Sequence, residues 1–131
     1  RTEEMMTGFG LEDHLGKLIK AYSGGMKRRV NLMVALLHEP RILILDEPTV
    51  GIDVHSRHMI NSYLKELNSH GMTMIYTSHQ LEETEKLCDR LAIIDYGKLI
   101  AEGDTKDILA KVDGHTLNDV FIQLTGKTLR D

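Results

Sequence analysis

A chain of 131 residues, 41% hydrophobic and 27% charged, has the make-up of one small globular domain or of a piece of a larger one. Its net charge of -4 argues against a surface built to attract nucleic acid or an anionic membrane, and its single cysteine, Cys88, excludes an internal disulfide and fits a reducing compartment. No apolar run approaches the roughly 20 residues a membrane-spanning helix needs, so any membrane work falls to another segment or polypeptide. The opening Arg1-Thr2-Glu3 shows neither an initiator methionine nor a signal-peptide pattern, and is expected to be an engineered or proteolytic start.

In chain order, Leu11, Leu15, Leu18 and Ile19 predict a short amphipathic helix over residues 11–20, broken by Tyr22-Ser23-Gly24-Gly25. Ser23 suits the cap of a second helix over residues 25–38, with Val30, Met33, Val34 and Leu37 as its apolar stripe and Pro40 as its stop. The run Ile42-Leu43-Ile44-Leu45 predicts a strand buried on both faces, as in a parallel sheet. Asp53 caps a third helix with the stripe Ile60, Tyr63, Leu64 and Leu67, ending near Gly71. Residues 72–77 follow as a strand, residues 80–88 as a helix and residues 91–94 as a strand. Asp95-Tyr96-Gly97 turns that strand into another over residues 98–101. Two tail helices follow, the first capped by Thr105, the second opened by a Thr116-x-x-Asp119 capping box with Leu117, Val120, Phe121 and Leu124 as its stripe. Strands alternating with helices imply an α/β layer with crossover helices.

Two adjacent carboxylates, Asp46 and Glu47, end the first predicted strand. Open α/β sheets bind ligands beyond the carboxyl ends of their strands, where an Asp can hold Mg²⁺ and a second carboxylate can orient or deprotonate a water. Ser23-Gly24-Gly25 precedes a helix, so its small residues and the helix N-terminus form a surface on which a phosphate could dock. His79 follows the next strand and shares the edge of Asp46 and Glu47 if the two strands are parallel neighbours. Lys27-Arg28-Arg29 reads as a solvated face, with Arg28 or Arg29 free to pair with acidic neighbours. His55 and His58 have no convergent third ligand and read as surface residues.

Ser23-Gly24-Gly25, Leu45-Asp46-Glu47-Pro48, Gly51-Ile52-Asp53 and Ser78-His79, in this order and spacing, resemble the signature, Walker B strand, D-loop and switch histidine of an ABC-type ATPase. The match runs from about Tyr22 to Gly103. The form Tyr22-Ser23-Gly24-Gly25-Met26, with Met26 where glutamine is more common, and the ending Leu117-Asn118-Asp119-Val120-Phe121 through Arg130-Asp131 are similar to bacterial drug-resistance exporters of the daunorubicin-resistance type. The resemblance implies a partial P-loop NTPase fold, a mostly parallel sheet with flanking helices whose phosphate-loop half is missing. It implies residues 1–22 as the end of a helical subdomain, 23–103 as the C-terminal part of the ATPase core, and 104–131 as a helical tail.

Carried residue by residue, the resemblance makes Asp46 the Mg²⁺ residue, Glu47 the catalytic base and His79 the γ-phosphate switch. Ser23, Gly24, Gly25 and Met26 would touch ATP held by a second nucleotide-binding subunit, and Asp53 would sit at the dimer seam. It implies a membrane permease as partner, no nucleic acid, and a peripheral place on the cytoplasmic face of the membrane. The alternative within the superfamily is a DNA-repair or chromosome-organising ATPase. No G-x-x-x-x-G-K-[ST] loop stands in the sequence; Gly126-Lys127-Thr128 copies only its end, with Phe121 at the place of the first glycine. The chain alone is therefore expected to bind Mg-ATP weakly, to be inactive, and to self-associate through uncovered sheet edges.

Overall fold

The apolar run at residues 42–45 forms β1 (Ile42–Asp46), paired in parallel with β2 (Thr73–Thr77) from Ile42↔Thr73 to Asp46↔Thr77, so the two strands end together. This computed structural model describes residues 2–112 and 116–126 and divides into two compact units, Arg1–Thr77 and Ser78–Asp131.

In the first unit, a parallel pair requires a crossover, and α3 (Val54–Ser69) supplies it. Asp53 caps it by accepting from the Ser56 amide at 2.9 Å. Its stripe buries Ile60 and Leu64 completely, and Gly71, with φ +96°, turns the chain into β2. An N-terminal helix that the spacing does not reveal, α1 (Thr2–Gly8), buries Met5 and Met6 and leads to Phe9, whose ring packs on Tyr63 at 4.7 Å between centroids.

The helix predicted over residues 11–20 does not form. Two single 3₁₀ turns, Glu12–His14 and Ile19–Ala21, stand there, separated by Gly16 at φ +84°. Leu15, Leu18 and Ile19 are exposed, so the stripe has no surface to pack on; only Leu11 enters the core. The next helix, α2 (Gly24–Leu36), starts at its Ser23 cap and buries Val30, Leu32, Met33 and Leu36, while Val34 and Leu37 of the predicted stripe point outward.

The expectation of a strand buried on both faces also fails among the described residues. Burial alternates along β1: Leu43 and Leu45 are covered, whereas Ile42 is 60% and Ile44 70% exposed. Period-two alternation sends every second side chain to the opposite face. The partner strand repeats it, with Ile75 52% exposed opposite Ile44.

In the second unit, α4 (Leu81–Leu87) leads to an antiparallel hairpin of β3 (Arg90–Asp95) and β4 (Lys98–Asp104). Tyr96 and Gly97 both have positive φ, as a tight two-residue hairpin turn requires. Two short helices follow, α5 (Thr105–Ala110) and α6 (Leu117–Thr125). Thr105 is not a cap. Asp104 holds that position without a side-chain bond, and the buried Thr105 hydroxyl donates instead to the Cys88 carbonyl at 2.6 Å. Thr116 and Asp119 form the expected capping box. Leu91, Ile93, Ile108, Leu117 and Val120 make this unit's core, while Leu124 stays exposed. Among the described residues the strands form a parallel pair, β1–β2, and an antiparallel pair, β3–β4, in the α/β arrangement with flanking helices that the resemblance implies. Residues 127–131, which carry the end of the drug-exporter resemblance and most of the rejected Gly126-Lys127-Thr128 fragment, lie outside the described residues. No described helix is long and apolar enough to cross a membrane.

Candidate functional site

The site is built at the C-terminal end of β1. Asp46 is the last strand residue and exposed; the hydroxyl of Thr77, its register partner on β2, donates to Asp46 Oδ1. Glu47 carries the ladder one step further, its amide donating to the Thr77 carbonyl at 3.0 Å. The chain then turns sharply. Glu47 takes φ +47°, in the left-handed region, and its carbonyl accepts from the Val50 amide at 3.3 Å. Pro48 and Thr49 are buried behind it, and the Thr49 and Tyr76 hydroxyls meet at 3.3 Å.

An unforeseen contact ties this turn to α2. Arg28 Nε donates to the Pro48 carbonyl at 3.1 Å, and Nη2 donates to the Glu47 carbonyl. Arg29 reaches the other way, its Nη1 donating to the carbonyls of Phe9 at 2.8 Å and Gly10 at 3.3 Å. The basic run is thus more than a solvated face: Lys27 and Arg28 are exposed, but both arginines bind backbone. Only the chance of pairing was legible from the sequence, because a carbonyl acceptor leaves no trace in side-chain identity.

At the start of α2, Ser23 Oγ accepts from the Met26 amide at 3.2 Å. A Cβ added at Gly24 or Gly25 would meet nothing within 4 Å. Neither glycine has positive φ, so nothing in the chain's own packing or backbone calls for a residue without a side chain there. Each glycine in a helix is unfavourable by about 1 kcal/mol relative to alanine.

Asp53 lies exposed at the end of the loop that follows the carboxylate pair. The Ser56 amide hydrogen bond, with smaller help from the Ser56 hydroxyl and the Arg29 charge, holds its carboxyl below the usual range. His79 is exposed in the second unit, two residues after β2 ends; it belongs to a different unit from Asp46 and Glu47. His55 and His58 are exposed, and no cluster of three or more His, Cys, Asp or Glu suited to a metal stands among the described residues.

The donor set fits Mg²⁺ bound with a nucleotide. Such an ion takes hard oxygen ligands, commonly one or two carboxylates together with phosphate oxygens and water, and needs no preformed all-protein cage. Asp46 offers an exposed carboxylate oriented by the Thr77 hydroxyl.

The family described as ABC transporter matches residues 1–50. The chain is 50% identical over 125 residues to the linearmycin resistance ATP-binding protein LnrL of Bacillus subtilis (strain 168), covering 95% of this chain and 39% of that protein. It is 39% identical over 117 residues to the daunorubicin/doxorubicin resistance ATP-binding protein DrrA of Streptomyces peucetius, covering 89% of this chain and 36% of that one. A solved structure described as the ATP binding subunit of an ABC transporter superposes with a TM-score of 0.84 at 30% identity, covering 95% of this chain and 53% of its own. The chain therefore spans well under half the length of these curated relatives. Sequence identity along nearly the whole chain and a shared fold agree with the order of motifs around the Asp46-Glu47 turn: over nearly its whole length the chain is similar to the ATP-binding subunits of ABC transporters.

Proposed function

We propose that the intact protein containing these residues is the ATP-hydrolysing subunit of an ABC exporter, working with a separate membrane permease and a second nucleotide-binding subunit. The observation that carries the reading is the acidic pair at the shared end of two parallel strands, with Asp46 tied to Thr77 and Glu47 turned out of the ladder. Relatives named for linearmycin resistance, daunorubicin resistance and Nod factor export favour transport over the chromosome-organising alternative. The place of work is the cytoplasmic face of the membrane.

In this reading Asp46 binds the Mg²⁺ that accompanies ATP, directly or through water. Mg²⁺ supplies charge neutralisation to the β- and γ-phosphates. Glu47 orients the attacking water and takes its proton. His79 hydrogen-bonds a γ-phosphate oxygen. Ser23, Gly24, Gly25 and Met26 face nucleotide held by the second subunit, and Asp53 lies at the seam between subunits. The open space at Gly24 and Gly25 supports this role, since glycines that the chain's own packing does not need suit close approach by an outside group. The 131 residues alone, without a phosphate-binding loop in their sequence, hold Mg-ATP weakly and do not turn it over.

Replacement of Glu47 by Gln in the intact protein tests the reading. ATP hydrolysis should fall by about 10²–10⁴-fold while nucleotide binding persists. Turnover within a few-fold of the parent would remove Glu47 as the base. For the 131 residues alone, binding stabilises by RT ln(1 + [L]/Kd), so a clear rise in melting temperature with millimolar Mg-ATP would show that they hold nucleotide unaided.

A further inference from the structure

Building on the reading of Glu47 as the base, we propose that Arg28 is a positioning residue whose guanidinium clamps the left-handed Glu47 turn and so aims the carboxylate. Glu47 opposes two backbone preferences at once. A residue with a Cβ disfavours positive φ, and a residue before proline is steered towards extended geometry. Glu47 nonetheless has φ +47° and is followed by Pro48.

Its neighbours hold it there from both sides. The Thr77 carbonyl takes the Glu47 amide proton at 3.0 Å, and the Glu47 carbonyl accepts from Val50. Arg28 then bridges two successive carbonyls, Nη2 to Glu47 and Nε to Pro48. A planar guanidinium presents donors in a fixed fork that can span two such acceptors, whereas a lysine ammonium is a single point donor. Arg28 sits in the second turn of the helix that begins at Ser23-Gly24-Gly25, so the element proposed to meet nucleotide also grips the peptide bearing the base. It is exposed, so its loss should weigh little on stability. Arg29, which holds the Phe9 and Gly10 carbonyls, is the structural comparator one residue away.

The test uses the full-length protein with Arg28→Gln, Arg28→Lys, Arg29→Gln and Glu47→Gln. Arg28→Gln should lower kcat by about tenfold, with KM for ATP within about twofold and the melting temperature little changed. Arg28→Lys should fall between. Millimolar guanidinium should restore part of the Arg28→Gln rate and none of the Glu47→Gln rate. Without nucleotide, Glu47 and Val50 amide exchange should quicken in Arg28→Gln and stay as in the parent in Arg29→Gln. A kcat within twofold of the parent in Arg28→Gln, or unchanged exchange at both amides, overturns the clamp. If Glu47→Gln abolishes turnover while Arg28→Gln is silent, only the clamp falls; if Glu47→Gln stays active, the base assignment falls and the clamp goes with it.

Discussion

Thr77 donates its hydroxyl hydrogen to Asp46 Oδ1 across the last register pair of the parallel strands, at 2.5 Å. The hydroxyl fixes which way the carboxylate faces. Outer partners of a metal-binding group commonly change metal affinity by about tenfold or more when removed. Thr77→Val keeps the shape and deletes the donor. It should raise the Mg²⁺ concentration needed for half-maximal ATP hydrolysis by the intact protein about tenfold. The rate at saturating Mg²⁺ should move much less. A Mg²⁺ titration decides, and an unchanged midpoint would make the bond incidental.

Asp53 makes a prediction about acid. Its carboxylate accepts the Ser56 amide at the start of α3, and that bond lowers its pKa in the folded state. A lowered folded pKa means the carboxylate's contribution is complete above the unfolded value and drains away as pH falls through the folded one. Asp53→Ala should therefore lower the melting temperature by roughly 5 °C at neutral pH. The gap to the parent should persist to about pH 5 and close below about pH 4, where carboxylates protonate in the unfolded chain. Melting curves across that range check both sign and window. A gap that widens in acid would contradict the cap.

The uncovered face of the first unit predicts self-association of the 131-residue polypeptide. Ile42, Ile44 and Ile75 are each more than half exposed and lie on one side of the β1–β2 pair. Contiguous apolar surface on a sheet favours association, as do strand edges without a partner. Light scattering over a concentration series should show dimers or larger species, and Ile44→Lys should shift the population towards monomer. A parent that stays monomeric at high concentration ends the prediction.

Local devices were readable from sequence, and long-range placement was not. Asp53, Thr116 and the hairpin turn at Tyr96-Gly97 obey rules that span only a few residues, and all three appear as expected. The position of Asp46 and Glu47 at a strand end follows from the short apolar run before them, while their proposed roles come from the other motifs in the same order. Leu15, Leu18 and Ile19 misled because helical spacing says nothing about whether an opposing surface exists. Thr105 misled in a related way: threonine caps helices, but a nearer acceptor at Cys88 took its hydroxyl. Arg28 was seen only as one charge among three, since its partners are carbonyls about twenty residues away. His79 remains a proposal carried by resemblance.

The left-handed turn at Glu47 also sets a limit on improvement. Its backbone is of the kind that glycine or asparagine adopts most comfortably, whereas the proposed proton transfer demands a carboxylate. Glu47→Gly should make the fold sturdier and the enzyme silent. On the proposed reading, glutamate at this turn exchanges conformational ease for the proton transfer.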